Sequence, residues 1–333
     1  MPPTASPDVV LLLTHSGDFY NVDLVAQALA RMGVRPIRFN TDLFPSLVKL
    51  SARAGDERAA HLFTEAGEQI STDEVRAVWT RKLWTPRMAN DLDERYHSMC
   101  IRESAAALDG FLDALYSARW VNDLDRQREA ENKQRQLRLA ARVGLRVPRT
   151  LVTNDASAAR QFFADTEGQT VAKLLRPLNV SMDAVKAFVY TNRVREEDLA
   201  GAEALRHSPM VFQELIPKAC ELRVACVAGE AFAGALDAIG TSRAHTDWRR
   251  AAPEECHWRK AQLPAEVASS LRALMSELGL VFGAVDLICT PSGEHVFLEV
   301  NPSGEWGMLE RDLGLPISEA IAKALLEDRG PRQ

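Results

Sequence analysis

Two apolar runs near the C-terminus, each interrupted by an acidic residue, most constrain how this chain folds. Phe282 to Thr290 reads FGAVDLICT and His295 to Asn301 reads HVFLEVN, with the turn sequence PSGE between them. Apolar runs of this length on either side of a Pro-Ser-Gly turn predict a β-hairpin. A carboxylate on a largely buried strand is costly unless a cation or strong donors compensate it. Each acid therefore needs a partner.

The second strand carries a carboxylate and an amide two residues apart. Side chains alternate across a strand, which places four residues on one face: His295, Phe297, Glu299 and Asn301. Asp286 on the partner strand can then converge with Glu299 and Asn301. Three hard oxygen donors suit Mg2+, which takes few protein oxygens and completes its octahedron with water and phosphate. The alternative is a single edge-strand acid in a salt bridge.

The composition is that of a globular protein. The chain has 333 residues, 46% of them hydrophobic, which is enough for two or three domains. The net charge of -6 and a pI near 5.7 predict no general attraction to nucleic acid or to anionic membranes. The start, MPPTASPD, does not resemble a signal peptide, and no apolar run approaches the roughly 20 residues that span a bilayer, so we expect a cytoplasmic protein.

Cysteine usage points to the same compartment. The five cysteines are odd in number and form no CxxC pair, so we expect reduced packing residues and neither disulfides nor a zinc site.

The N-terminal part is predicted to be an α/β domain. VVLLLT, a helical pattern that ends at Gly33 and the run VRPIRFN form one βαβ unit. The only glycine in THSGDF argues against a dinucleotide-binding loop. A later strand, AVWTRKLW, ends at Arg81 and Lys82, which are either solvated charges or site residues.

The rest of the chain is predicted to be mixed α+β. An amphipathic helix is expected over Arg102 to Ala118, and a very polar one over Asp125 to Val143. The composition shifts between these two helices, which places the first domain boundary near residue 122. Strands are expected at Thr170 to Leu175, Val185 to Thr191 and Met210 to Ile216, followed by a hairpin that turns at Gly229-Glu230.

Two lysines occupy unusual positions. Lys133 is predicted in the middle of the polar helix, and Lys173 interrupts an apolar strand. Each alone is ordinarily a surface residue, but two lysines over one cleft would clamp a polyphosphate. The strand Met210 to Ile216 offers backbone groups with apolar flanks that could face an adenine, at Gln213, Glu214, Leu215 and Ile216.

The order of these features resembles the ATP-grasp superfamily. It runs Lys133, GLRVPRT, Lys173, QELI, ELR from Glu221 to Arg223, Asp286, and Glu299 to Pro302. Members of that superfamily close two α+β lobes over ATP and join a carboxylate to a nucleophile through an acyl phosphate. The resemblance implies that Asp286, Glu299 and Asn301 hold the Mg2+ ions that bridge the ATP phosphates. It also implies that the lysines, residues 213–216 and Glu221 contact ATP.

The same resemblance implies the domain plan. We expect an ATP-grasp fold, α/β and α+β, with an N-terminal Rossmann-like pre-ATP-grasp domain over residues 1–122. A central ATP-grasp lid domain is expected over 123–210, and a C-terminal domain with the metal site over 211–333. One departure concerns KLLRPLNVSMD, which has no glycine where many members carry a glycine-rich phosphate flap. The phosphate contacts, including any made by Arg176, stay open.

A narrower similarity covers nearly the whole chain. VVLLLTHSGDFYNVDLVAQAL, VWTRK, ENKQRQLRLAARVGLRVPRTLVTN and Asp247-Trp248-Arg249 are similar to the microviridin class of peptide ligases, the graspetide synthetases, and within it to the plesiocin group. This implies an enzyme that joins Asp or Glu carboxyls to Thr or Ser hydroxyls, or to Lys amines, within a ribosomal precursor peptide with a leader and an acidic core. It also implies a homodimer.

The long loop from Ile239 to Leu263 is basic and aromatic within an acidic protein. It is either a solvated loop or a site for an acidic peptide, and its length, beyond roughly 12 to 15 residues, favours a function. Arginine binds a carboxylate through two hydrogen bonds, which suits an acidic peptide. The expected peptide contacts in this loop are Arg243, His245, Trp248 and Arg249.

The catalytic candidates are two guanidinium groups and one acid. Arg223 and Arg249 can stabilise the negative charge that develops during phosphorylation and attack. Asp247 either orients Arg249 or accepts a proton from the attacking hydroxyl.

Two other functions stay open at this stage. One is a carboxylate–amine ligase acting on a small molecule or a protein tail, resembling glutathione synthase or the ribosomal-protein glutamate ligases. The other is a non-catalytic ATP-binding regulator, against which the complete set Asp286, Glu299 and Asn301 argues. Measuring ADP release with and without an acidic peptide separates the three.

Overall fold

The computed structural model describes residues 9–53, 60–175, 191–237 and 257–327. The helices are α1 Tyr20–Arg31, α2 Glu94–Asp113, α3 Leu124–Ala130, α4 Lys133–Arg142, α5 Ala156–Asp165, α6 Ala265–Leu278, α7 Gly307–Leu313 and α8 Ile317–Leu326. Short 3-10 segments lie at Thr41–Leu43, Thr72–Glu74 and Glu196–His207.

Sixteen strands complete the described fold. They are β1 Val9–Thr14, β2 Arg35–Asn40, β3 Lys49–Ala52, β4 Ala60–Phe63, β5 Gln69–Ser71, β6 Val75–Thr80, β7 Arg119–Val121, β8 Thr150–Thr153, β9 Thr170–Lys173, β10 Asn192–Arg193, β11 Met210–Glu214, β12 Cys220–Val227, β13 Glu230–Asp237, β14 Trp258–Ala261, β15 Phe282–Cys289 and β16 His295–Asn301.

The N-terminal strands form a parallel sheet in the order β2-β1-β6-β7. The helix α1 follows the predicted pattern, with Val22, Val25 and Leu29 buried, and the chain leaves it through Gly33 at a φ of 77°. Gly33 tolerates this left-handed backbone because it has no Cβ. A small antiparallel sheet, β3-β4-β5, is inserted between β2 and β6. The predicted βαβ unit is confirmed.

Two antiparallel sheets follow. The central sheet has the order β10-β9-β11-β8, and the C-terminal sheet has the order β14-β13-β12-β15-β16. Helices α3, α4 and α6 cover one face of the C-terminal sheet through a core that includes Leu139, Leu274 and Val285. The predicted hairpin of β15 and β16 is confirmed. The α/β and α+β fold class is therefore correct, while the domain boundaries stay a prediction.

One hydrophobic core joins the first sheet to the last. Val10 and Trp79 of the parallel sheet share it with Ala225, Phe282 and helix α8. Because residues far apart in sequence are buried against each other here, the two ends of the chain form one packed body.

The predicted polar helix over Asp125 to Val143 is wrong, because the chain forms two helices there. Asp123 caps α3 by accepting from the N–H groups of Asp125 and Arg126, and Asn132 caps α4 by accepting from Arg135 N–H. Asn132 competes for backbone donors and starts a new helix. Lys133 is therefore the first residue of α4 and does not lie mid-helix.

Three smaller predictions also shift. The helix expected over Arg102 to Ala118 spans Glu94–Asp113, because Asp93 caps it. The hairpin between β12 and β13 turns at Ala228 and Gly229, whose φ angles of 46° and 88° suit a tight hairpin. The strand expected at Val185 to Thr191 lies outside the described residues except for Thr191.

The strict alternation expected along β16 is broken by a bulge. Asp286 pairs with Glu299 but Leu287 pairs with Phe297, so Leu298 has no partner across the ladder. Phe297 consequently turns into the core that holds Val300, away from the face of Glu299. His295 pairs with Cys289 and moves with Phe297, so the prediction that His295 and Phe297 share a face with Glu299 is wrong.

The side chain of Asn122 ties β7 to the C-terminal sheet. Its Nδ2 donates to the carbonyls of Phe282 at 2.9 Å and Pro302 at 3.2 Å. Its Oδ1 accepts from the N–H groups of Val281 and Phe282, both at 2.9 Å. The amide thus satisfies four buried or partly buried backbone bonds at the junction. Among the described helices, none is long and apolar enough to cross a bilayer.

We predict that Asn122→Ala lowers the free energy of unfolding by roughly 3 kcal/mol, because it leaves buried backbone groups without partners. Denaturant titration measures the loss. Asn90→Ala is the matched control, since Asn90 is exposed, and it should change stability by less than about 0.5 kcal/mol. Equal effects of the two substitutions would show that the junction does not depend on Asn122.

Candidate active site

Three charged residues line up across neighbouring strands of the C-terminal sheet. Arg223 on β12 pairs in register with Asp286 on β15, and Asp286 pairs with Glu299 on β16. Residues directly opposite each other in an antiparallel sheet point to the same face. Asn301 lies two residues beyond Glu299 and shares that face. The register therefore places Asp286, Glu299 and Asn301 on one face of the sheet, while their role as metal ligands stays a prediction.

Each acid of this row contacts a cation. Arg223 Nη1 lies 2.6 Å from Asp286 Oδ1, and Lys133 Nζ lies 2.8 Å from Glu299 Oε2. The side chains of Asp286 and Glu299 are only 17% and 20% exposed, so these pairs compensate largely buried charges. Lys133 reaches the acid because it starts α4 beside the edge strand β16.

The donors of this row fit a hard divalent cation. Two carboxylates and the Asn301 amide supply oxygens, and the Asn301 Oδ1 also accepts from Ser303 N–H at 3.0 Å. Within the described ranges, no group of three or more His, Cys, Asp or Glu side chains could hold a metal by itself. Two carboxylates and one amide are oxygen donors of the kind that Mg2+ uses when phosphate and water supply its other ligands.

An apolar patch adjoins the charged row. Ile216, Ile288 and Val296 are buried together, with Leu298 packed against them. At its rim Lys218 forms an ion pair with Glu221, and the two side chains are 8% and 18% exposed. Lys218 was not among the residues predicted from the sequence. Its position between Pro217 and a buried strand is the signal that could have found it.

The central sheet presents Lys173 and Gln213 on one face. Lys173 pairs in register with Val211, and Gln213 lies two residues further along β11. Gln213 is buried and donates to Thr150 Oγ1 at 2.9 Å. Its side chain therefore holds β8 and β11 together.

The next two residues also bond within the protein. Glu214 N–H donates to Arg149 O and Leu215 N–H donates to Gln169 O, both at 2.9 Å. These two donors serve the central domain, and nucleotide contacts by residues 213–216 stay a prediction.

The N-terminal sheet also reaches this site. Arg81, which follows β6, is only 1% exposed, so it is not the solvated charge that one interpretation expected. Its Nη2 lies 2.7 Å from Glu305 Oε2, and its Nε lies 3.4 Å from Asp18 Oδ2. Lys82 pairs with the other oxygen of Glu305. Glu305 was not among the residues predicted from the sequence, although an acid directly after Asn301-Pro302-Ser303-Gly304 was a signal for it.

Glu305 is held in its ionised form. Burial raises the pKa of this carboxyl, but Arg81 and Lys82 more than offset the burial, so the net pKa lies below its ordinary value. Asn21 Nδ2 also donates to Glu305 Oε2 at 2.7 Å. A carboxylate with both oxygens engaged and a lowered pKa is suited to anchoring and unsuited to accepting a proton.

The prediction that the peptide loop extends to Leu263 is wrong, because Trp258–Ala261 form strand β14, which pairs with β13; residues 239–256 of the loop lie outside the described residues. This applies to Arg243, His245, Asp247, Trp248 and Arg249, whose roles stay predictions.

Four cysteines fall within the described ranges and are free, as expected: Cys100, Cys220, Cys226 and Cys289. Burial raises the pKa of the Cys226 thiol to about 12, which keeps it protonated and unreactive.

Known proteins resemble this chain over almost its full length. Residues 9–128 match the family model described as the MvdD pre-ATP grasp domain. The macrocyclase MdnB from Microcystis aeruginosa MRC is 48% identical, with a TM-score of 0.82 over 96% of this chain and 99% of that one. The macrocyclase MdnC from the same source, bound with precursor peptide MdnA, is 33% identical, with a TM-score of 0.85 over 96% and 99%.

A third relative comes from another organism. The RiPP-associated ATP-grasp ligase of Chryseobacterium gregarium, in complex with ADP and a leader and core peptide, is 30% identical, with a TM-score of 0.89 over 96% of each chain. No curated protein matches the chain significantly. The expected ATP-grasp fold and pre-ATP-grasp domain are confirmed, whereas the narrower similarity to the plesiocin group stays a prediction.

The lowered pKa of Glu305 predicts a pH-dependent stability. A carboxyl whose folded pKa lies below its unfolded value stabilises the fold above the unfolded pKa, near the ordinary 4.5, and loses that contribution as the pH falls through the folded pKa. Glu305→Gln should therefore be less stable than wild type at pH 6 to 7, and the gap should shrink below about pH 4.5. Denaturation midpoints across this range measure it. A gap that is constant with pH would contradict the ionic role.

Proposed function

Because this chain belongs to the graspetide synthetase class of ATP-grasp macrocyclases, and is thus an ADP-forming ligase, we propose that it activates Asp and Glu side chains of a ribosomal precursor peptide and closes them onto acceptor side chains. The observation that carries the proposal is the charged row of Arg223, Asp286 and Glu299 across three strands. Membership of an enzyme family leaves no support for a non-catalytic regulator.

The proposed reaction has two steps. A carboxylate is a poor electrophile, so one of its oxygens first attacks the γ-phosphorus of ATP and releases ADP, which gives an acyl phosphate. A Thr or Ser hydroxyl or a Lys amine then attacks the acyl carbon. Phosphate leaves and the nucleophile loses a proton, which yields an ester or an amide. Each ring removes one water from the peptide overall.

The residues of the charged row divide this work. Asp286, Glu299 and Asn301 would hold Mg2+, which when bound neutralises phosphate charge and holds the transferring group in line. Arg223, 7% exposed and fixed by Asp286, offers a guanidinium to the developing negative charge. We propose that Lys133 exchanges its contact with Glu299 for a phosphate oxygen.

The apolar patch beside the row suits the nucleotide base. Ile216, Ile288, Val296 and Leu298 form an apolar cluster, and Glu221 with Lys218 supplies polar groups beside it. Binding pockets of this kind combine apolar walls with a few oriented polar groups. Lys173, on β9 of the central sheet, is proposed to contact the phosphates.

The peptide is proposed to bind through a leader and an acidic core. Two relatives support this: MdnC is bound with a precursor peptide, and the Chryseobacterium ligase with a leader and a core peptide. We propose that Arg243, His245, Trp248 and Arg249 contact the core, with Asp247 either orienting Arg249 or accepting the proton. A leader held elsewhere would raise the local concentration of each core carboxylate. A homodimer is part of the same proposal.

Mass spectrometry of an acidic precursor peptide tests the function. Incubation with ATP and Mg2+ should produce ADP and a peptide that has lost one water per ring. Mild base then distinguishes the products, because esters regain water and amides do not. The glutathione-synthase-like alternative predicts a different result. ADP would form when a small-molecule amine is supplied as the acceptor of the activated carboxyl, and the peptide would lose no water.

We predict that Glu299→Gln lowers the turnover number by about 100-fold or more, since a lost metal ligand removes several kcal/mol of transition-state stabilisation and about 1.4 kcal/mol is tenfold. ADP release and peptide dehydration measure it. Glu294→Gln is the matched control, because Glu294 lies on the same hairpin and pairs with the exposed Arg146. Turnover within threefold of wild type in Glu299→Gln would refute the metal assignment.

Lys173→Met should weaken ATP binding by about 10- to 100-fold and leave peptide affinity unchanged, because a charged contact to phosphate contributes about 1.5 to 3 kcal/mol. Calorimetric titration of each ligand separates the two affinities. Lys49→Met serves as the control, since Lys49 is exposed on the small N-terminal sheet. Unchanged ATP affinity in Lys173→Met would remove this lysine from the site.

A further inference from the structure

The segment Ser303 to Glu305, directly after the proposed metal ligand Asn301, is held by the N-terminal sheet. Arg81 Nη1 donates to the carbonyls of Ser303 and of Gly304, the latter at 3.2 Å. The same guanidinium lies 2.7 Å from the Glu305 carboxylate. Three consecutive residues of the segment therefore depend on one buried side chain.

This contact lies at the point in the parallel sheet where the order of the strands reverses. From β1 the chain runs to β2 on one side, and from β6 it runs to β7 on the other, so the direction of winding reverses between β1 and β6. The crevice beyond the carboxyl ends of two such strands is where open α/β sheets bind ligands. Here Asp18 and Arg81 lie at that crevice, and the segment Ser303 to Glu305 of the same chain occupies it.

The same segment also contacts the catalytic face. Glu305 O accepts from Arg223 Nε at 3.0 Å, and Ser303 N–H donates to Asn301 Oδ1 at 3.0 Å. A Cβ at Gly304 would lie 3.0 Å from Arg223 Nη2 and 3.1 Å from Asn301 Cβ, so no slack separates the segment from these side chains. A displacement of the segment would therefore move both.

We infer that Arg81 is a positioning residue of the ligase. By holding Ser303 to Glu305 it sets the Asn301 amide and the Arg223 guanidinium, and the pre-ATP-grasp domain thereby completes the catalytic centre. This inference rests on the function proposed for Asn301 and Arg223. Arg81 touches neither substrate nor metal in this role and acts only through the segment.

The chemistry of the side chain explains why an arginine stands here. Its Nη1 donates to two carbonyls while the same guanidinium forms ion pairs with the Glu305 carboxylate and Asp18, and the single ammonium of a lysine cannot make all four contacts. Glu305, engaged also by Asn21 and Lys82, acts as the matching anchor.

Kinetics and metal titration of Arg81→Met and Arg81→Lys test the inference. We expect the turnover number to fall about 100-fold in Arg81→Met, the magnitude that a small misplacement of catalytic groups produces. The Mg2+ concentration for half-maximal ADP formation should rise, and the Mg2+-dependent part of ADP binding should weaken to the same extent as in Asn301→Ala, in which we also expect a loss. The KM for the peptide should stay within about threefold, and Arg81→Lys should restore only part of the loss.

Arg119→Met is the matched control. Arg119 also joins the parallel sheet to the C-terminal part, through Ala324 O at 2.6 Å and Glu327 at 3.0 Å, but it lies away from Asn301. It should lower the melting temperature without moving the Mg2+ dependence or the turnover number. If Arg81→Met behaves in the same way, Arg81 is only a tie between domains and the inference is overturned.

Two other outcomes must be distinguished: an Arg81→Met variant that does not fold, and a failure of the proposed function itself. If Arg81→Met does not fold, Arg81→Lys and Glu305→Gln take its place, and wild-type Mg2+ dependence in both overturns the inference. A failure of the proposed function is visible separately, because wild type itself would then neither bind ADP with Mg2+ nor dehydrate the peptide. Normal wild-type behaviour with an unaffected Arg81 variant refutes the positioning role alone.

Discussion

The site depends on the contacts that two buried arginines make with the short segment Ser303 to Glu305. Arg81 holds Ser303 to Glu305 from the N-terminal sheet, and Arg223 holds the Glu305 carbonyl from the C-terminal sheet. Both guanidinium groups are nearly fully buried, so each contact is made at low dielectric, where an unmatched charge is costly. The parallel and antiparallel sheets are therefore joined by polar contacts of fixed geometry as well as by a shared apolar core.

Charge balance explains how the acids of the site are kept in place. Asp286 and Glu299 each contact a cation across a strand or from a helix start, so the row is neutralised within the protein. A polyphosphate with a divalent cation can replace these pairs without leaving a buried charge uncompensated. Arg223 and Lys133 would then contact phosphate while the acids contact metal. The same four side chains thus serve both the stability of the fold and the proposed chemistry.

Much of the fold and part of the site could be predicted from local sequence. The hairpin of β15 and β16, the βαβ unit and the convergence of Asp286 with Glu299 follow from alternation and turn residues, which are local properties. One error arose where a local rule met a competing local signal, and another where the deciding feature left no signal in the sequence. Asn132 started a new helix within a long polar pattern, and the bulge at Leu298 turned Phe297 into the core. A bulge leaves no mark in an apolar run, because either face of the strand is buried.

By itself the sequence determined which functional groups the protein has: oxygen donors on two paired strands, and lysines on one strand and one helix. The order of its motifs also indicated the protein family. Only the tertiary structure decided which charges are partners. Arg81 and Glu305 are 224 positions apart in the numbering (305 minus 81), and the pairing of the two depends on how β6 and the loop after β16 come together around a common core. Burial is a property of that assembly, so a sequence cannot show that Arg81 is inside and Lys82 at the rim.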